Sequence, residues 1–266
     1  MNDKRAITPW LLSLPALILL AVLFMLPVLR LMVLSLFIET PDGYRFTLHN
    51  YVVFFTDPYT LKQLWVTCKI SFITTFISLV LAFPVALYMR QLPPRTRGLL
   101  AFLVLSPLLT SVVVRTLAWV YLLGSKGVLN TFLGQLGLPP VQLIYNESGV
   151  VIGLVHVLFG YMILSLMTSV LKIDDNLLYA AANLGASKLV IFWKIILPLS
   201  LPGILAGFVL VFTMSASTYA TSAMLGGSRT RLLAPEVYNL AVNRLAWDEA
   251  STAATILFVM IAVVVV

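Results

Sequence analysis

Arg115 is the residue of this chain whose position most needs a chemical explanation. It falls inside a long, mostly apolar stretch, Leu99–Leu123, too far from either end for easy reach to water. A charge at the centre of a bilayer costs at least ~2.5–3.5 kcal/mol on insertion scales, so such a group turns towards a bundle interior or a wet cavity. There it either ties down backbone carbonyls or meets a passing solute. Hydroxyl side chains give the second signal. Thr67, Ser71, Thr74 and Ser78 recur at helical spacing and share one face. Small hydroxyl residues let helices approach and bond across an interface, so this face is read as packing. Ser215, Thr218 and Ser222 repeat the pattern with Tyr219 beside them, and their density is read as the wall of a transport pathway. His156, alone in its apolar run, reads as a satisfied core histidine, while Lys69 and Arg30 are long enough to snorkel.

Bond-making chemistry is not indicated. The apolar runs carry no acid in their interiors, which disfavours a proton-coupled pump working through carboxylate relays. No metal-ligand cluster, no Ser/His/Asp arrangement and no Gly-x-x-x-x-Gly-Lys phosphate loop occurs. If ATP drives this protein, another subunit must bind it.

The elements that must position these residues are membrane helices. The chain has 266 residues, 61% hydrophobic and 10% charged, with a mean hydropathy of +1.02. Soluble domains average about 25% charged residues, and this composition excludes one. Six stretches are long enough to span a bilayer: Trp10–Phe37, Leu64–Met89, Leu99–Leu123, Val150–Leu171, Leu199–Leu225 and Ala250–Val266. The first exceeds the 7–15 residues of a cleavable signal core and lacks a clear cleavage site; it is read as an uncleaved span. Net charge is +7, which in a membrane protein reads as cytoplasmic anchoring before nucleic-acid binding. Lys4, Arg5, Arg90, Arg95, Arg97, Lys172, Lys188 and Lys194 fall on one side, against Arg45, Lys62, Lys126, Arg229, Arg231 and Arg244 on the other. The short Arg-rich loop Arg90–Arg97 favours the first side as cytoplasmic, with the N-terminus inside. The outer segments read as irregular, with turns at Asp42-Gly43 and Asp57-Pro58 and a short interfacial helix within Ser125–Leu136. Cys68 is the single cysteine, which rules out a disulfide within the chain and reads as a small buried hydrophobe.

Between the fourth and fifth spans lies a segment of a different character. Asp174 or Asp175 is placed to cap a short helix to Leu184, in which Ala180, Ala181 and Ala182 allow close approach of another surface. Gly185 permits a sharp turn. Ser187 then caps a second helix, with an apolar face of Leu189, Phe192, Ile195 and Ile196, that Pro198 is expected to stop.

This segment resembles the "EAA" coupling loop of permeases in bacterial ABC importers. Ala180, Ala181, Gly185, Ile195, Leu197 and Pro198 stand at the matching places, while Tyr179 stands where the family usually has glutamate. The likeness extends from about Leu61 to the end. Val114-Arg115-Thr116, Leu123–Asn130 and Thr218–Gly227 look most like the spermidine/putrescine-type subfamily. The resemblance implies an all-α integral membrane protein of the type I ABC importer (MetI-like) fold. It places a first helix and periplasmic loop over 1–60, a transmembrane domain over 61–266, and a cytoplasmic coupling loop at 172–203. It implies ATPase coupling through Tyr179, Ala180, Ala181, Asn183, Gly185, Ala186, Ser187 and Pro198; the polar residues inside the spans add, from their own chemistry, a substrate pathway through Arg115, Ser215, Thr218, Tyr219 and Ser222. The expected partners are a second homologous permease, two cytoplasmic ATPase subunits holding ATP and magnesium, a periplasmic binding protein and inner-membrane lipid; no cofactor is expected in this chain. The cargo is then a small amine such as spermidine or putrescine, or a zwitterionic or anionic amino-acid derivative, since the helices offer a cation no acid. A channel or secondary transporter independent of ATP is the alternative class; it calls for ion-coordinating groups or inverted repeats, and neither is evident in the sequence.

Overall fold

The computed structural model describes residues 13–40 and 43–265. Lys4, Arg5, the start of the first span at Trp10, Asp42 of the expected turn and Val266 lie outside the described residues. Among the described residues, six helices are long and apolar enough to cross a membrane, and the chain divides into two compact units.

One unit comprises the residues through Leu61 together with Glu236–Val259. Helix α1, Ser13–Leu34, has a mean hydropathy of 2.8 over its most apolar window and buries none of that window within the chain. Where the sequence suggested irregular structure, an antiparallel hairpin follows: β1 (Phe37–Thr40) pairs with β2 (Gly43–Phe46), with Phe37 opposite Phe46. Those two rings meet edge to face at 5.8 Å, an aromatic cross-strand pair of the kind that stabilises small sheets. Gly43 adopts φ +113°, a conformation open to glycine because it has no Cβ. Helix α2, His49–Thr56, follows. Buried polar groups knit the unit together: Ser35 shares a hydroxyl bond with Tyr51 at 2.7 Å, and Thr252 Oγ1 donates to the Ser35 carbonyl at 3.3 Å.

The other unit comprises Lys62–Pro235 with the last residues of the chain. It contains most of α3 (Pro58–Arg90), then α4 (Pro94–Leu105), α5 (Val112–Leu123), α6 (Val128–Gln135), α7 (Glu147–Val170), α8 (Asp175–Asn183), α9 (Lys188–Ala216) and α10 (Ala220–Gly226). Asn146 caps α7 by accepting from the Gly149 amide at 3.0 Å. Helix α11, Leu233–Tyr238, leads through a π-turn, Asn239–Asn243, towards α12, Trp247–Val265. The core is apolar side chains of α3 and α7, among them Ile70, Ala86, Leu154, Met162 and Leu166, with Val211 of α9 and Leu225 of α10. Helices α7 and α9 approach closely because of Gly203 and Gly207. A Cβ on Gly203 would stand 2.8 Å from the Ser165 carbonyl oxygen, and one on Gly207 would stand 2.6 Å from Met162 Sδ. Gly-x-x-x-Gly spacing puts both on one face, which brings the two backbones together.

Three expectations need correction. The third span is not one helix over Leu99–Leu123: α4 ends at Leu105, a 3₁₀ turn occupies Ser106–Leu109, and α5 starts at Val112. Pro107 lacks the amide that would continue the ladder, and Thr110 is extended, with ψ 149°. The fifth span breaks as well, between α9 and α10 at Ser217–Tyr219. Pro198 stops nothing. Helix α9 runs from Lys188 through Pro198 and Pro202 to Ala216, with a π-turn at Phe192–Ile196 just before the first proline. The wider π-turn relaxes the ladder at the place where proline can neither donate nor tolerate the preceding carbonyl.

Candidate functional site

Both breaks open onto one cavity. It has a volume of about 220 Å³ and is lined by Arg115, Tyr161, Thr218 and Thr221 among apolar neighbours that include Leu108, Leu154 and Met214. The half-buried Arg115 projects from the first turn of α5. Its Nη1 donates to the carbonyl of Pro107, in the 3₁₀ turn. The guanidinium thus takes up an oxygen that the broken ladder leaves over, and Thr110 Oγ1 donates to the same oxygen at 2.8 Å. Non-helical backbone at membrane depth survives where it is buried in protein or lines a cavity, and these contacts supply the partners. Arginine has five N–H donors. One is engaged in this way, leaving others for acceptors in the cavity.

The fifth-span hydroxyls serve their own break. Ser217 Oγ donates to the Thr213 carbonyl at 2.8 Å, and Ser222 Oγ donates to the Thr218 and Tyr219 carbonyls at 2.8 and 3.0 Å. Ser215 and Ser222 are fully buried and do not line the cavity. Thr218 is half-buried and does line it, whereas Tyr219 is exposed. Sequence reasoning gave no site role to Tyr161, Thr116 or Thr221. Thr116 and Thr221 share a buried hydroxyl contact at 3.3 Å that joins α5 to α10. Thr221 was signalled by its three-residue spacing from Thr218. Tyr161 had no such signal.

The second-span stripe lies elsewhere. Thr67, Ser71, Thr74 and Ser78 are all wholly buried within the bundle, and Thr67 Oγ1 accepts from the Leu233 amide at 2.8 Å. His156 is not a buried core residue. It lies exposed on α7, with Nδ1 accepting from Trp119 Nε1 at 3.2 Å. Lys69 forms an exposed ion pair with Glu147 at 2.6 Å.

The capped segment from Asp174 to Pro198, here termed the handle, lies apart from the cavity. Asp174 caps α8 by accepting from the Asn176 amide at 2.9 Å, and Ser187 caps α9 by accepting from Val190 at 3.4 Å. Gly185, between them, adopts φ +80°, the left-handed conformation that ends helices most readily at glycine. Tyr179, Ala180, Asn183, Gly185, Ser187 and Pro198 are exposed; Ala181 and Ala186 are half-buried. Leu184 and Leu189 are 89% and 72% exposed. The expected apolar face of α9 is divided. Phe192 meets Phe83 edge to face at 5.5 Å, and Ile196 packs on the core. Leu189, in the first turn of the helix, is left exposed. One clasp ties this handle to α3, where Arg90 Nη2 donates to Asp175 Oδ1 at 2.6 Å and to the Ile173 carbonyl at 2.7 Å. Among the described residues no group of acids, histidines and cysteines is placed to hold a metal ion.

The chain matches the family described as "Binding-protein-dependent transport system inner membrane component" over residues 11–266. It is similar to the spermidine/putrescine transport system permease protein PotB of Haemophilus influenzae, with 33% identity over 91% of this chain and 87% of the relative. The corresponding protein of Escherichia coli is 37% identical over 81% of this chain and 79% of its own. The fold of this chain is similar to that of a chain in a bacterial ABC transporter involved in the import of the acidic polysaccharide alginate, with TM-score 0.81 and 19% identity over 98% of this chain and 93% of that one. The inward-facing MetNI methionine transporter is more distant, at TM-score 0.55 and 16% identity over 76% of this chain and 89% of that one. With its six apolar helices and a family match across almost its whole length, this chain belongs to the inner-membrane permease components of binding-protein-dependent transport systems.

Proposed function

We propose that this chain is one permease subunit of an ATP-driven importer for spermidine, putrescine or a closely related amine. The observation that carries the substrate class is the 33–37% identity, over most of the chain, to permeases named for spermidine/putrescine transport. The full assembly has a second permease, two cytoplasmic ATPase subunits that hold ATP and magnesium, and a periplasmic binding protein that delivers cargo. The N-terminus lies in the cytoplasm. The handle then faces the ATPases, which grip α8 and the turn at Gly185.

Helix α9 links the two sites. Its 29 residues at 1.5 Å each make a rod of about 44 Å, with Ser187 at the handle end and Met214 on the cavity wall. Closure of the ATPases shifts the handle, the rod carries the shift, and the break at Ser217–Tyr219 lets α10 respond. Nucleotide state thereby biases a bundle with two arrangements, one open to each side of the membrane.

A second reading concerns cargo alone. Arg115 lines the cavity, and the described acids lie at helix starts or in connecting segments rather than in the span interiors. A guanidinium in a small cavity suits a carboxylate or phosphate better than an ammonium, which favours a zwitterionic or anionic amino-acid derivative. Uptake by the reconstituted complex, competed by spermidine, by a zwitterionic amino acid and by an anionic analogue, separates the two. Competition by spermidine alone supports the amine. Competition by the acid-bearing solutes alone supports the second reading, and uptake indifferent to ATP would remove both.

A further inference from the structure

We propose that a groove between α4 and α7 binds one anionic phospholipid, its phosphate on Arg97 and an acyl chain along the apolar wall. The groove encloses about 410 Å³, within the roughly 300–1,000 Å³ of ligand pockets. Ala101, Val104 and Leu105 of α4 form one wall, and Ile163, Leu164 and Met167 of α7 form the other. None of these six side chains has an oxygen or nitrogen. Pro94, Arg97 and Gly98 also line it, and all three belong to the first turns of α4.

Arg97 distinguishes this groove from a bare apolar furrow, because it is the one charged residue lining it. Its Nη2 donates to the Leu92 carbonyl at 3.2 Å, but its Nε is buried with no partner. That atom is closed to solvent, so a ligand in the groove meets Nη1, which has neither a bond partner nor a place among the buried unpartnered atoms, and to which an acyl chain or an apolar helix brings no acceptor. A phosphate oxygen does, through a charge-assisted bond. Arg95, two residues earlier, is exposed and adds a second positive charge. The carboxylates of the neighbouring handle are engaged: Asp175 with Arg90, and Asp174 as the cap of α8. Basic pockets between membrane helices favour anionic headgroups in this way. Gly98 completes the fit, since a Cβ built there meets nothing within 4 Å and the groove is open beside Arg97. Assigning the lipid to the inner leaflet rests on the orientation proposed above; the binding itself does not.

Native mass spectrometry of the assembled transporter tests this, titrated with phosphatidylglycerol or with phosphatidylcholine of identical chains. The wild type should hold phosphatidylglycerol about tenfold more tightly, as one charge-assisted contact allows. Arg97→Gln should erase that preference, and Arg97→Lys should keep part of it. Gly98→Leu should weaken both lipids by filling the groove, with assembly and thermal stability monitored alongside. Inorganic phosphate should not displace the lipid, because the acyl chain supplies much of the binding. Equal affinity of the wild type for the two lipids would overturn the proposal, as would a preference that survives Arg97→Gln. So would a photo-crosslinker replacing Ala101 that captured the second permease. No arm reads uptake, so failure here is distinguishable from failure of the import reading.

Discussion

The cavity around Arg115 and the handle around Gly185 are built on opposite principles. The cavity exists because two helices fail. Its polar groups answer the oxygens those failures leave over, as Arg115 does for Pro107 and Ser222 for Thr218 and Tyr219. The handle exists because two helices are well made. Each has its cap, with a glycine turn between them and apolar side chains left uncovered. On the proposed reading, the region that accommodates cargo is irregular and keeps donors in reserve on Arg115, whereas the region that transmits force is regular, with apolar side chains left uncovered. Helix α9 joins the two without a break.

The sharpest way to break this contrast is to attack the rod. Gly203→Leu drives a side chain into the Ser165 carbonyl, and overpacking of this kind costs about 1–3 kcal/mol. We expect loss of assembled transporter, read as accumulation and thermal stability in the membrane; normal stability would mean that the close packing of α7 on α9 is dispensable. Next is Gly185→Pro, which imposes φ near −65° where the turn has φ +80°. The protein should reach the membrane intact while ATP hydrolysis no longer yields uptake, and normal ATP-dependent uptake would end the coupling assignment. Arg115→Ala should come third. Losing one charge-assisted contact corresponds to roughly tenfold or more in transport, read as substrate kinetics in proteoliposomes, and unchanged kinetics would return the residue to a purely structural part. Arg90→Ala should raise the ATP consumed per solute imported a few-fold, and the paired reversal of Arg90→Asp with Asp175→Arg should recover part of that loss. The smallest effect belongs to Lys69→Gln. Its pair with Glu147 is about two-fifths exposed on each side, so the change in stability should fall below about 1 kcal/mol.

Much of the handle was legible because its signals are local. A capping aspartate, three alanines, a glycine and a capping serine each act within one turn of themselves, and the structure puts each in the predicted local geometry. The spans were legible as apolar length, and their number agrees. The breaks in them were less so. Pro107 and Pro198 are the same residue type in similarly apolar surroundings, yet one ends a helix and the other lies within one. What separates them is the local backbone: Pro107 lies inside a 3₁₀ turn, whereas a π-turn precedes Pro198, and tertiary packing decides that. The hydroxyl stripes show the same limit. Thr67 to Ser78 and Ser215 to Ser222 have the same spacing rule, but burial and bond partners depend on which helix lies opposite. Tyr161 reaches the cavity only because α7 is brought against α5, which no spacing within α7 announces.

One consequence follows from the break at Ser217–Tyr219. A continuous membrane helix that bends must give up ladder bonds, each costing on the order of 1 kcal/mol, so its movement carries a steep enthalpic barrier. Here the ladder is already interrupted, and side-chain hydroxyls hold the carbonyls on either side. In the proposed cycle a swing of α10 about this point disturbs one long backbone bond, from the Thr218 amide to the Ser215 carbonyl at 3.3 Å, and leaves the flanking ladders intact. Most of the enthalpy was given up once, when the chain folded, and the speed of the swing is left to how fast neighbouring side chains repack.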